Sequence, residues 1–171
     1  MCSSDLAMVF QSGGLLNSLT VAENVGLYLA EHRIMPPDEV DRVVVKQLAA
    51  VELDPDVGAK YPSELSGGMR KRVAIARALV MDPQLVLFDE PTSELDPLVA
   101  QTIGREILNL NRRTGATIVV VTHDRDLAFG IADRMAFLAD GELVASGSPA
   151  DMRAARHHLL EKFLAADWSA R

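Results

Sequence analysis

The chain has one cysteine, no excess of positive charge and no apolar run near the length of a bilayer span. Each absence removes a class of protein. Cys2 alone cannot form an internal disulfide, which fits a reducing compartment. The formal net charge is −7, from 17 Lys and Arg against 24 Asp and Glu, so no nucleic-acid partner is expected. No stretch approaches the roughly 18 apolar residues that a membrane span requires. The apolar helix pattern that follows residue 66 is interrupted by Arg77. One further string is missing. No Gly-x-x-x-x-Gly-Lys-Ser/Thr occurs among the 171 residues, so no lysine or hydroxyl can be assigned to the β- and γ-phosphates of a nucleotide.

What is present describes an ordinary globular chain. Hydrophobic residues make up 49% and charged residues 24%, and 171 residues suffice for one domain with a sizeable core. Residues 1–6 carry neither a strand nor a helix pattern. One back-translation of residues 2–6 resembles a sequencing-library adapter, so these residues are expected to be a non-native leader on a chain that continues upstream. The alternative is a short disordered terminus.

Residues 7–10 begin a strand abruptly. Thr20-Val21-Ala22-Glu23 reads as a capping box opening a helix to about Glu31. Pro36-Pro37 breaks the chain. Asp38 opens a second helix with Val40, Val43, Val44, Leu48 and Val51 on one face. Ser66 is the expected N-cap of a helix to about Met81. Residues 85–88 form a continuous apolar run, as in a parallel strand buried on both faces. Asp96-Pro97 caps a helix that stops at Gly115. Residues 117–122 are a further strand, and Asp140-Gly141 predicts a type I′ hairpin. Strands alternating with helices argue for α/β architecture around a mostly parallel sheet.

Asp89 and Glu90 stand where a buried strand ends, and ligands of open α/β sheets bind beyond such ends. One carboxylate there can hold Mg²⁺ directly or through water. The other can orient attacking water or take its proton. Ser66-Gly67-Gly68 opens a helix whose free N–H groups attract an anion, with glycines that let a phosphate approach the backbone. His123 ends a strand and can donate to a phosphate oxygen, and Gln11 ends the first strand in the same fashion, with an amide oxygen able to face a metal or water. Arg70, Lys71 and Arg72 read as a solvated basic face. His157 and His158 lack partners at metal-ligand spacing.

In order, these strings resemble ABC transporter ATP-binding subunits over residues 7–147. Phe10-Gln11 resembles the Q-loop, Leu-Ser-Gly-Gly-Met at 65–69 the signature motif, and residues 85–90 the Walker B motif. Ser93-Glu94-Leu95-Asp96 resembles the D-loop and Thr122-His123-Asp124 the H-loop. The resemblance implies a P-loop NTPase-like ABC ATPase domain, incomplete at its N-terminus and without Walker A. It implies a helical subdomain at about 20–80 and a C-terminal helical extension at 148–171. ATP and Mg²⁺ would be its cofactors. Glu90 would be the catalytic base, Asp89 and Gln11 would serve Mg²⁺, and His123 would contact the γ-phosphate. Ser66, Gly67 and Gly68 would bind ATP held by a second ATPase subunit, and Asp96 would couple the two sites of that homodimer. Glu94 departs from the family, standing where a small residue is usual. Long heptads, a second cassette and basic charge are absent, which argues against DNA-repair and ribosome-associated members.

A narrower resemblance lies in residues 10–25, in Tyr61-Pro62-Ser63-Glu64 and in Met69-Arg70-Lys71-Arg72. These are similar to the Mla/Mce-type phospholipid-trafficking ATPases. That implies a peripheral subunit at the cytoplasmic face of the bacterial inner membrane, with an integral membrane permease and an Mce-type lipid-binding protein as partners. Without Walker A, the chain alone is expected to be inactive. The alternative is a non-catalytic signature-half module that completes an intact partner's ATP site in trans.

Overall fold

The structure is a computed structural model that describes residues 6–165. Residues 1–5 of the expected leader and 166–171 of the expected C-terminal extension lie outside the described residues. The chain forms two compact units, Met1–Thr122 and His123–Arg171.

The first unit is built on a parallel sheet of three strands in the order β1 (Leu6–Val9), β2 (Leu85–Asp89), β3 (Thr117–Val121). Ala7 pairs with Val86, Val9 with Phe88, and Phe88 with Val120. Side chains alternate across a strand, so Ala7, Val9, Val86 and Phe88 share one face, and all four are buried. The opposite face carries Leu6, Met8, Val119 and Val121, which are 40–61% exposed. The expectation that residues 85–88 are buried on both faces is therefore corrected: Leu85 and Leu87 are half-buried. Within this unit the helices pack on one face of the sheet. Two of these are α3 (Gly67–Leu79), packed on β1, and α4 (Pro97–Thr114), packed on β3.

Two further helices, α1 (Val21–Glu31) and α2 (Pro37–Ala50), pack on each other and on α3. The capping box that opens α1 is present: Thr20 Oγ1 accepts from Glu23 N–H, and Glu23 Oε2 accepts from Thr20 N–H at 2.7 Å. On α2, Val40, Val44 and Leu48 are buried, as is Val51 just beyond it, whereas Val43 is only half-buried. Short 3₁₀ turns at Pro55–Ala59 and Pro62–Glu64 lead into α3.

The second unit contains α5 (Arg125–Ile131), the antiparallel pair β4 (Met135–Ala139) and β5 (Glu142–Gly147), then α6 (Pro149–Ala154) and α7 (His158–Ala165). The hairpin turns through Asp140 at φ +51° and Gly141 at φ +81°, as a type I′ turn requires. Among the described residues of this unit, Leu127, Met152 and Leu160 are the buried apolar side chains, and the Phe137 and Phe163 rings lie 5.3 Å apart. No helix among the described residues is long and apolar enough to cross a membrane.

Candidate functional site

The candidate site lies at the carboxyl edge of the parallel sheet. Asp89 ends β2, half-buried, opposite Val121 of β3. Gln11 is exposed and lies two residues past Val9, the partner of Phe88, so it leaves the sheet at the same edge as Asp89. It sits in a turn rather than on the strand. That turn is closed by Gly13 N–H donating to Phe10 O at 2.8 Å, with Gly13 at φ +78° and Gly14 at φ +59°.

Two helices hold this loop. Arg77 of α3 donates to Gly14 O at 2.7 Å and to Gly13 O at 3.2 Å. Burial lowers its pKa. Asn24 of α1 is wholly buried. Its Nδ2 donates to the carbonyls of Leu16, Leu19 and Thr20 at 3.0, 3.1 and 2.9 Å, and its Oδ1 accepts from Leu16 N–H at 2.8 Å.

Beyond Asp89 the chain turns sharply. Glu90 adopts φ +45°, a left-handed conformation that costs any residue with a Cβ about 1–2 kcal/mol. Its N–H donates to Val121 O at 2.9 Å, and its Oε2 accepts from Thr122 Oγ1 at 3.3 Å. Its carbonyl accepts from Lys71 Nζ at 3.0 Å and from Ser93 Oγ at 2.9 Å. Lys71 also donates to Ser93 Oγ at 3.1 Å and is only 7% exposed. This corrects the solvated-face reading of residues 70–72. Arg70 donates to Leu65 O at 2.7 Å, and half-buried Arg72 reaches Glu52 O at 3.4 Å. Burial lowers the Lys71 pKa, against the attraction of Glu94 and Glu90. Glu94 has φ +62°, a conformation that suits glycine or asparagine better.

Ser66 caps α3, its Oγ accepting from Met69 N–H at 3.2 Å. Gly67 and Gly68 form the first turn of that helix. A Cβ on Gly68 would lie 2.7 Å from Val99 Cγ1 of α4, so this glycine also lets the two helix starts meet. Asp96 caps α4, and its Oδ1 accepts from Leu98 and Val99 N–H, both at 3.0 Å.

The structure thus gathers Gln11, Asp89 and Glu90 at one sheet edge of the first unit, with Ser66–Gly68 and Asp96 at two adjoining helix starts. His123 opens the second unit, exposed, beside Asp124, whose Oδ1 caps α5. No group of three or more His, Cys, Asp or Glu suited to a metal occurs among the described residues. One carboxylate and one amide at a sheet edge fit Mg²⁺ all the same, because that ion keeps waters and takes oxygens from substrate phosphates.

Sequence reasoning missed Lys71, Arg77 and Asn24 as residues that hold the site. Two signals were available. Lys71 falls on the helical stripe of Ala74, Ile75 and Ala78, all buried, and Arg77 interrupts the apolar run that follows Arg72.

Residues 2–93 match the ABC transporter family model. The methionine import ATP-binding protein MetN 1 of Pseudomonas putida is 42% identical over 147 residues, covering 86% of this chain and 44% of that protein. The glutamate transport ATP-binding protein GluA of Corynebacterium efficiens is 42% identical over 146 residues, covering 85% and 60%. Among solved structures, the dimeric post-hydrolysis state of the ATP-binding cassette MJ0796 bound to ADP and Pi is similar at 36% identity. Its TM-score is 0.76, over 85% of this chain and 63% of that one. The chain spans about half the length of the curated relatives it matches.

Proposed function

Because the chain belongs to the ABC transporter family, we propose that it serves as the ATP-hydrolysing subunit of a transporter, with ATP and Mg²⁺ as cofactors. Residues 7–147 would be the partial cassette, 20–80 its helical subdomain and 148–171 an extension. The observation that carries the reading is that Gln11, Asp89 and Glu90 all lie at the same edge of the sheet. Glu90 takes the proton of the attacking water. Asp89, directly or through water, and Gln11 hold Mg²⁺, which when bound neutralises charge developing on the phosphates. His123 donates to a γ-phosphate oxygen. Ser66, Gly67 and Gly68 present the start of α3 to the γ-phosphate of ATP held by a second subunit. Asp96 couples the two sites. Loss of γ-phosphate contacts after hydrolysis removes the differential binding that holds the dimer shut.

The cargo we propose is phospholipid, moved across a cell envelope with a permease and an Mce-type protein, the subunit working at the cytoplasmic face of the inner membrane. Its support is residues 10–25, 61–64 and 69–72 alone. Neither relative above is named for lipid transport; their names point to methionine and glutamate. Stimulation of the assembled transporter's ATPase by phospholipid supports the lipid reading, and stimulation by either amino acid instead refutes it.

The test of hydrolysis is a fusion of the chain behind an N-terminal segment that supplies a Gly-x-x-x-x-Gly-Lys-Ser/Thr P-loop. The fusion should hydrolyse ATP only with Mg²⁺, and Glu90→Gln should lower kcat by about 10²–10⁴. The 171-residue chain alone should show negligible turnover. A fusion no faster than its Glu90→Gln variant refutes the reading. A second reading, a signature half acting in trans, rests on the Ser66–Gly68 start of α3. Rescue of a signature-disabled partner cassette by the unfused chain would support it.

A further inference from the structure

We propose that Lys71 is a positioning residue that holds Glu90 in its left-handed backbone conformation and so aims its carboxylate. The proposal rests on the reading of Glu90 as the base. Glu90 carries a Cβ and yet sits at φ +45°. Such a conformation persists only where the surroundings over-determine it. Its N–H is anchored to Val121 O of the neighbouring strand. Its carbonyl is anchored from within the turn by Ser93, through N–H at 3.2 Å and Oγ at 2.9 Å. Lys71 adds the anchor from a helix: its Nζ donates to Glu90 O and to Ser93 Oγ, bracing both ends of the turn.

The chemistry of the anchor is costly. A lysine only 7% exposed places its ammonium against a carbonyl and a hydroxyl. A methionine would fill the same channel without that desolvation. What methionine cannot do is donate. Taking Lys71 away removes the anchor from α3 at Glu90 O, and the turn can then relax toward a right-handed backbone, swinging the carboxylate. Lys71 lies one turn into α3, whose start is Ser66–Gly68, so a shift of that start also reaches Glu90 through this side chain.

Amide exchange by NMR on the 171-residue chain tests the tether. In Lys71→Met, the Glu90, Ser93 and Leu95 amides should exchange about tenfold faster while α3 and β1 keep their protection. Lys71→Arg should restore near wild-type rates, and Ser93→Ala should loosen the same amides. Acceleration spread evenly through the first unit, or no acceleration, overturns the proposal. In the P-loop fusion, Lys71→Met should lower kcat about tenfold at unchanged KM for ATP, with rescue by Lys71→Arg. A raised KM at unchanged kcat overturns it. An unmutated fusion that hydrolyses no ATP sinks the reading of Glu90 instead, and the exchange measurement still decides the tether.

Discussion

Gly68→Ala separates two reasons for a glycine at the start of α3. The added Cβ would stand 2.7 Å from Val99 Cγ1. Carbon atoms in contact settle at about 3.5–4.0 Å, so roughly 1 Å of overlap must be relieved. Val99 yields little: it is β-branched, stiff at χ1 in a helix, and its N–H is bonded to Asp96 Oδ1. The helix starts must therefore part, at an overpacking cost of about 1–3 kcal/mol. Alanine's better helix propensity returns at most about 1 kcal/mol. The net loss should be about 1–2 kcal/mol, which at a urea m-value of about 1–3 kcal/mol/M lowers the midpoint by roughly 0.3–2 M. Val99→Ala removes the obstructing methyl groups. In that background Gly68→Ala should be neutral or stabilising, giving a coupling of about 1–3 kcal/mol across the four-variant cycle. Gly67→Ala, whose Cβ would lie 3.5 Å from Leu95 Cδ2, should do little harm. Additive effects of Gly68→Ala and Val99→Ala, within about 0.5 kcal/mol, would refute the packing argument.

Asp96→Ala should cost about 1 kcal/mol by urea unfolding, with Asp96→Asn close to silent, because the side chain caps two N–H groups of α4. Arg77→Met should speed amide exchange across residues 10–16 more than across the sheet, since it frees the Gly13 and Gly14 carbonyls. Equal acceleration in the sheet would count against it. Glu106 is 5% exposed, and burial, then Glu52, push its carboxyl above its ordinary 4.5 against the pull of Arg72 and Arg113. The native state thus keeps a proton that the unfolded chain has released, so stability falls as pH rises through 4.5 toward the raised value. Glu106→Gln should therefore raise the urea midpoint at pH 7, with the gain shrinking in acid; an equal gain at both extremes would contradict the linkage.

Much of the architecture is legible in local chemistry. The Thr20 and Asp96 caps, the Asp140-Gly141 turn and the alternation of strand and helix need only neighbours in sequence, and each is present where the pattern puts it. Burial was less legible. Residues 85–88 are apolar throughout, yet only Val86 and Phe88 are buried, because cover depends on which helices return to which face. The finer family reading rested on short flanks, and MetN 1 and GluA bear the names of amino-acid transport proteins.

Residue order alone determined the family and the candidate carboxylates, since the signature and strand-end motifs are contiguous strings whose chemistry is local. The tertiary structure decided how those carboxylates are held. Lys71 and Arg70 are indistinguishable as a basic pair in the chain, but one reaches Glu90 O and the other Leu65 O. A helix rotates successive side chains by about 100°, so neighbours one residue apart can serve different segments, and only the packing of α3 shows which cation is buried against the turn that carries Glu90.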